Sequence, residues 1–355
     1  MLHRFAPRLC SRAFVRATST TPIPGDHMKE GFGLPPGGRS HRLTGAFTFE
    51  CGSTLPSLTL GFHTYGTLAP DGSNAVLVGH SLTSNSAVHE WWGALLGAGP
   101  AFALDTERYF VICVNYLGSV YGSTGPLEAA PGGGPPLSAD FPVATLKDNV
   151  AAQRALLEAL GVRRVALAMG GSLGGMLALE WAASAPQMVD ALCVVGSCGR
   201  HPDWAIGFGE AGRQAIFADP RWEGGFYGKR GAPPPLCGMA AARQLAMLSY
   251  RTPQSLSEKF GRALVPGGRP PALAAAQGGG GAPFFDVEGY LNYQGDKFRR
   301  RFDPLSYVRL TQLLDSHDLG RGRDHAGGDF KRVLQGLPQR ALVVGIDSDL
   351  LYPVR

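Results

Sequence analysis

The sequence predicts an α/β protein with a mainly parallel sheet and a helical lid inserted between two core strands. Short, almost continuous apolar runs alternate with segments of helical spacing, the pattern of strands covered on both faces by helices. That rhythm breaks between about Arg200 and Asp329, where helix-like sequence punctuated by Gly and Pro takes over. At 355 residues the chain is long enough for one large α/β unit carrying an insertion.

Taken in order, residues 1–25 interleave Arg4, Arg8, Arg12 and Arg16 with Leu2, Phe5, Leu9, Phe14 and Val15 and contain no acid. Arginines four apart line one helix face and apolar residues the other, the pattern of an organellar transit peptide. The expected destination is the mitochondrion, with plastid and cytoplasm as alternatives. The first part of the core follows over 26–199, with strands expected at Ala75 to Gly79, Tyr109 to Val114, Val165 to Met169 and Ala191 to Gly196. Asp148 to Leu160, with Val150, Leu156, Leu157 and Leu160, has helical spacing. The lid is expected over 200–329, and a return to the core over 330–355 supplies one more strand, Ala341 to Ile346. Pro131 to Pro136 and residues 267–283 hold much of the excess glycine and proline, so they read as surface loops, the second a flexible insertion.

Composition excludes several functions. Hydrophobic residues make 44% and charged residues 17%, a globular balance, and no apolar run approaches the ~20 residues of a membrane span. The formal charge is +5, yet four of the 33 Lys+Arg lie in the leader, leaving 29 against 28 Asp+Glu. A nearly neutral body removes the composition argument for a nucleic-acid binder. The six cysteines (Cys10, Cys51, Cys113, Cys193, Cys198, Cys237) form no Cys-x-x-Cys and have no histidine at metal-ligand spacing, so they read as reduced thiols and no metal is expected.

Gly170-Gly171-Ser172-Leu173-Gly174-Gly175 follows one apolar run and precedes the helix-like Met176 to Ala185. A serine on such a strand-turn-helix is held in a strained conformation that lifts its hydroxyl above the sheet edge, and the glycines around it remove side chains that would clash. The start of the helix aims backbone N–H groups at the same space. No lysine of a phosphate-binding loop is present. These features make Ser172 the candidate nucleophile. Val76-Leu77-Val78-Gly79-His80-Ser81-Leu82-Thr83 ends another strand in a turn. The Leu82 and Leu173 N–H groups are the expected oxyanion donors, a contribution of roughly 3 to 4 kcal/mol each in well-studied cases. His80 reads as a packed, hydrogen-bonded residue.

With these residues in view, the chain resembles the homoserine O-acetyltransferases of the α/β-hydrolase superfamily over nearly all of residues 45–353. The resemblance rests on the Ser172 turn together with Phe62 to Leu68, Asp105 to Phe110, Leu117-Gly118-Ser119, Tyr121-Gly122-Ser123, Gly212 to Ile216, Tyr293 to Phe298 and Leu314 to Asp318. It implies an α/β-hydrolase fold and acyl transfer from acetyl-CoA, a co-substrate, to the hydroxyl of L-homoserine in methionine biosynthesis, with no bound cofactor. It implies a homodimer, with no nucleic-acid or membrane partner. Ser348-Asp349-Leu350-Leu351-Tyr352-Pro353 resembles the family's Ser-Asp-x-Leu-Phe-Pro turn, so Asp349 is implied as the triad acid. Arg243 matches the lid arginine that grips the amino-acid carboxylate, a task that suits a planar guanidinium, and Tyr250 matches a position lining the same pocket.

The nine histidines all precede Asp349, whereas in this superfamily the order is Ser, Asp, His. Read as it stands, the sequence lacks the triad histidine and the fold's last strand and helix. It therefore predicts acylation reduced by several orders of magnitude and an exposed sheet edge. His317 and His325 are weak substitutes, because the His317 motif belongs to relatives that also carry the later histidine. Alternatives kept open are a serine or homoserine O-succinyltransferase, an α/β-hydrolase esterase, and an inactive truncated paralogue. A fluorescent fusion of residues 1–40 is expected to enter mitochondria, and a diffuse cytosolic signal would overturn the leader reading.

Overall fold

The computed structural model describes residues 32–130, 133–265 and 284–353, so the leader and the 267–283 insertion lie outside the described residues. A seven-stranded sheet carries the molecule. Its strands are β1 (Arg39–Thr48), β2 (Thr54–Tyr65), β3 (Ala75–Gly79), β6 (Phe110–Val114), β7 (Val165–Gly171), β8 (Ala191–Val195) and β9 (Arg340–Val344), and a separate pair is formed by β4 (Leu96–Gly97) and β5 (Leu104–Asp105). The order across the large sheet is β1-β2-β6-β3-β7-β8-β9. The last five strands of that order run parallel, while β1 pairs antiparallel with β2 and β2 with β6.

The five parallel strands coincide with the five apolar runs of the sequence to within two residues at their ends. β3 and β6 are buried at every position, as helices on both faces require. β1 and β2 are an addition to the sequence reading. β1 alternates exposed and half-buried positions and is rich in polar residues, a weak strand signal.

Helix α1 (Val88–Trp91) is a single turn. Helix α2 (Leu146–Ala159) starts two residues before the expected Asp148, because Thr145 caps it. The Thr145 hydroxyl accepts from the Asp148 N–H and the Asp148 carboxylate accepts from the Thr145 N–H, a reciprocal pair that satisfies two otherwise orphaned donors. Helix α3 (Leu173–Ser184) is buried almost all round, which accounts for its lack of a polar face. Trp181, at its centre, is fully buried and its indole N–H donates to Gln153 on α2 at 3.1 Å.

Between β8 and β9 the chain is helical: α4 (Asp203–Phe217), α5 (Leu236–Ser249), α6 (Pro253–Phe260), α7 (Asp286–Arg299), α8 (Pro304–Asp315) and α9 (Phe330–Gln335). The junction of α7 and α8 is anchored by Asp303, which is fully buried, caps α8 through the Ser306 N–H at 2.8 Å and accepts from Tyr227 at 2.6 Å. No described helix is long and apolar enough to cross a membrane. Among the described strands β9 forms one edge of the sheet, and Leu342 and Val343 are 60% and 70% exposed there.

β3, β7 and α3 meet at three glycines. A Cβ on Gly174 would lie 2.0 Å from the Gly79 carbonyl oxygen, one on Gly170 2.4 Å from the Gly174 carbonyl carbon, and one on Gly79 2.6 Å from the Gly174 oxygen. No side chain fits between these backbones. Gly174→Ala is therefore expected to cost about 3 kcal/mol, the upper end of the usual range for overpacking. An unchanged urea midpoint would contradict this contact.

Candidate active site

Ser172 sits between β7 and α3 with φ 55° and ψ −124°, a left-handed conformation that costs energy for any residue with a Cβ. The surroundings hold it there. Its N–H donates to the Val195 carbonyl at 3.0 Å, and its own carbonyl accepts from the Ser197 hydroxyl at 2.7 Å and from the Gly175 N–H at 3.0 Å. β8, α3 and the turn after β8 thus fix the peptide planes on both sides of the serine. Leu173 is the first residue of α3, so its N–H has no intrahelical acceptor.

The turn after β3 is organised as tightly. The Tyr116 hydroxyl donates to the His80 carbonyl at 2.9 Å, and His80 Nδ1 lies 2.8 Å from the Ser81 carbonyl oxygen. A carbonyl only accepts, so Nδ1 carries the proton. Burial pushes the fully buried His80 down to about 4 and keeps it neutral. The Ser84 N–H closes the turn on the Ser81 carbonyl at 3.1 Å. Leu82, inside this turn, has no acceptor for its N–H among the described residues.

A cavity of about 650 Å³ joins these parts. It is lined by Ser172, the turn from Ser81 to Ser84, Asp349 with its neighbours, and Arg243, Tyr250 and Arg301 of the lid region. The structure therefore brings together Ser172, Leu82, Arg243, Tyr250 and Asp349, which are far apart in sequence. Leu173 is fully buried and is not among the residues that line the cavity. Asp349 Oδ1 is occupied by the N–H groups of Leu351 and Tyr352 at 2.8 and 2.9 Å. These bonds orient the carboxylate and leave Oδ2 beside Gly196. Arg243 has its guanidinium 4.9 Å from the Phe298 ring centre and 5.8 Å from that of Tyr250. It pairs with no carboxylate among the described residues, so an aromatic cradle holds a cation facing the cavity that Ser172 lines.

No described histidine lines the cavity. His317 is buried with Nε2 3.1 Å from the Cys198 carbonyl, His201 is buried against Asp315 and the Tyr352 ring, and His325 is exposed. Burial pushes both His201 and His317 down to about 4. None of the three is placed to serve Ser172. No described cluster of His, Cys, Asp or Glu could hold a metal ion. Cys113 is fully buried and Cys193 half-buried, positions of packing thiols.

Arg301 and Tyr352 are among the cavity residues that escaped the sequence reading. Arg301 belongs to the run Arg299-Arg300-Arg301, in which sequence gives no sign of the member that turns inward. Tyr352 stands within the acid turn, and its ring packs 5.9 Å from that of His201.

Such an elbow, with an acid turn after a late strand and a helical insertion above, defines an α/β hydrolase. Residues 74–352 match the α/β hydrolase fold family, and the chain belongs to it. Within it, the chain belongs to the homoserine O-acetyltransferase family of enzymes. It is 44% identical over 313 residues to the homoserine O-acetyltransferase of Trichormus variabilis, covering 88% of this chain and 81% of that one. The homoserine O-acetyltransferase structure from Bacillus anthracis superposes with a TM-score of 0.77 at 26% identity, over 90% of this chain and 85% of that one. Esterase E22 superposes with a TM-score of 0.76 at 26% identity, over 89% and 86%.

The buried neutral histidines tie stability to pH. In the unfolded chain they titrate near the ordinary value of 6.5, and in the folded chain near 4. Between those values the unfolded state binds more protons, so the contribution is full above pH 6.5 and is lost as pH falls. Each is expected to remove roughly 2 kcal/mol by pH 5. His80→Asn should flatten the dependence of the unfolding free energy on pH by about one proton, and an unchanged slope would contradict a neutral His80.

Proposed function

We propose that this enzyme transfers an acetyl group from acetyl-CoA to the side-chain hydroxyl of L-homoserine through an acyl-enzyme on Ser172. One observation carries the reading: an arginine without a carboxylate partner, Arg243, shares the cavity of a strained elbow serine. Hydrolysis of a simple ester needs no such cation, whereas an amino-acid acceptor brings a carboxylate that a guanidinium grips with two parallel hydrogen bonds.

In the first half-reaction Ser172 Oγ attacks the thioester carbonyl and gives its proton to a general base. The oxyanion is held by the Leu82 and Leu173 N–H groups, and the C–S bond breaks as coenzyme A leaves with that proton. In the second, the homoserine hydroxyl attacks the acyl carbon, the base takes its proton, and Ser172 Oγ is released and reprotonated. Arg243 fixes the acceptor's carboxylate and Tyr250 packs beside it. The lid limits water, which would otherwise hydrolyse the intermediate. The base is an imidazole directed by the free oxygen of Asp349, a role that no described histidine is placed to fill.

The likeness to an esterase favours one second reading, acetyl-ester hydrolysis at the same serine. Coenzyme A release from acetyl-CoA, followed with and without L-homoserine, separates the two. Transfer predicts release that depends on homoserine and yields O-acetylhomoserine, and hydrolysis predicts free acetate regardless of acceptor. Ser172→Ala should abolish either activity, and Arg243→Leu should raise the KM for homoserine more than about tenfold, as loss of a charge-assisted pair implies. Millimolar imidazole should accelerate acetylation of Ser172 by an activated ester in the 355-residue chain, and no acceleration would argue against a cavity built for an imidazole.

A further inference from the structure

The oxyanion turn is fastened from two sides, and one fastening comes from the lid. Arg301 lies in the connection between α7 and α8, yet its guanidinium crosses to the core. There it donates to the Thr83 carbonyl at 2.9 Å and to the Tyr121 hydroxyl at 3.1 Å, with its plane 5.3 Å from the Phe298 ring centre. Phe298 stacks on Phe302, whose ring meets that of Tyr121 edge-on at 5.8 Å. Packing thus holds the ring on which the guanidinium rests. No described carboxylate pairs with it, and its two hydrogen bonds go to the turn at Thr83 and to Tyr121.

The consequence for the turn is geometric. The carbonyls of His80, Ser81 and Thr83 accept from Tyr116, from His80 itself and from Arg301. The Leu82 N–H shares a peptide plane with the Ser81 carbonyl, which accepts from His80 and from the Ser84 N–H, and Arg301 holds the Thr83–Ser84 peptide that carries that Ser84 N–H, so it steadies the Leu82 N–H from the far end of the turn. Tyr116 and His80 belong to the core and are present whatever the lid does. Arg301 belongs to the lid, and its donor reaches the Thr83 carbonyl only when the α7–α8 junction is seated on the core. Its charge also lies at the edge of the cavity in which a negative oxygen would form.

We propose that Arg301 is a positioning residue for the oxyanion turn, coupling the seating of the lid to the orientation of the Leu82 N–H. This rests on the acyl-enzyme reading of Ser172. The role differs from that of Arg243: Arg301 holds the Thr83 carbonyl and the Tyr121 hydroxyl, whereas Arg243 faces the cavity and pairs with no described carboxylate. Loss of Arg301 should therefore slow acylation without weakening the acceptor.

The test uses the natural protein made in its own cells, with Arg301→Met, Arg301→Lys and Ser172→Ala variants. The acylation burst with an activated acetyl ester is measured alongside kcat and KM for both substrates and the melting temperature. Arg301→Met is expected to slow the burst and lower kcat by about 10- to 100-fold, somewhat less than outright loss of a donor, which costs ~10²–10³. KM for homoserine should stay within about threefold, and Arg301→Lys, which retains one donor toward Thr83, should recover part of the burst rate. An unchanged burst in Arg301→Met overturns the inference. So does a higher KM for homoserine with kcat intact, or a loss that follows only the folded fraction and is absent in Arg301→Lys. If Ser172→Ala keeps the burst, or the unmodified protein has none, the acyl-enzyme reading fails first and the inference falls with it.

Discussion

Three glycine backbones in direct contact set the geometry of this molecule. Gly79 at the end of β3, Gly170 at the end of β7 and Gly174 in the first turn of α3 lie so close that no Cβ fits at any of them. This contact draws the start of α3 down onto two adjacent strand ends and forces the residue between β7 and α3 to turn sharply. Ser172 takes that strain, and hydrogen bonds from β8 and α3 keep it there. The same contact places the turn after β3 beside the serine, so Ser172 and the Ser81–Ser84 turn are neighbours because their strands are.

The second layer of the site comes from the lid. Helices between β8 and β9 bring Arg243, Tyr250 and Arg301 over the elbow, and aromatic rings rather than carboxylates hold the arginines. An arginine cradled by Phe298 keeps its charge and donors for something else. For Arg243 the proposed partner is a substrate carboxylate, and for Arg301 it is the carbonyl of Thr83 in the core. A single aromatic residue, Phe298, packs against both guanidiniums, so seating of α7 sets the two together.

Much of the fold was legible. Parallel strands buried on both faces read as apolar runs, and the five found that way stand where expected. β1 escaped because a largely exposed antiparallel strand of polar residues looks like loop, and β2 because its Ser and Thr break up the apolar run. The elbow was legible because its demand falls on the local backbone, which only glycines around a serine meet. Asp349, Arg243 and Tyr250 were reached through family motifs, and no local pattern distinguishes them from a turn acid, a surface arginine or a packing tyrosine. Arg301 was not legible by either route, since three consecutive arginines look like a solvated run and only one of them reaches the core.

The sequence by itself determined the alternation of strands and helices, the elbow serine, and the near-neutral body that argues against a nucleic-acid binder. These rest on composition or on contacts within a few residues. The tertiary structure alone decided which arginines face Ser172, and that His201 and His317 are buried apart from it. Each of those outcomes depends on groups far apart in sequence meeting through packing. Their mutual distance is set by the sheet order and by the glycine contact, which no window of sequence contains.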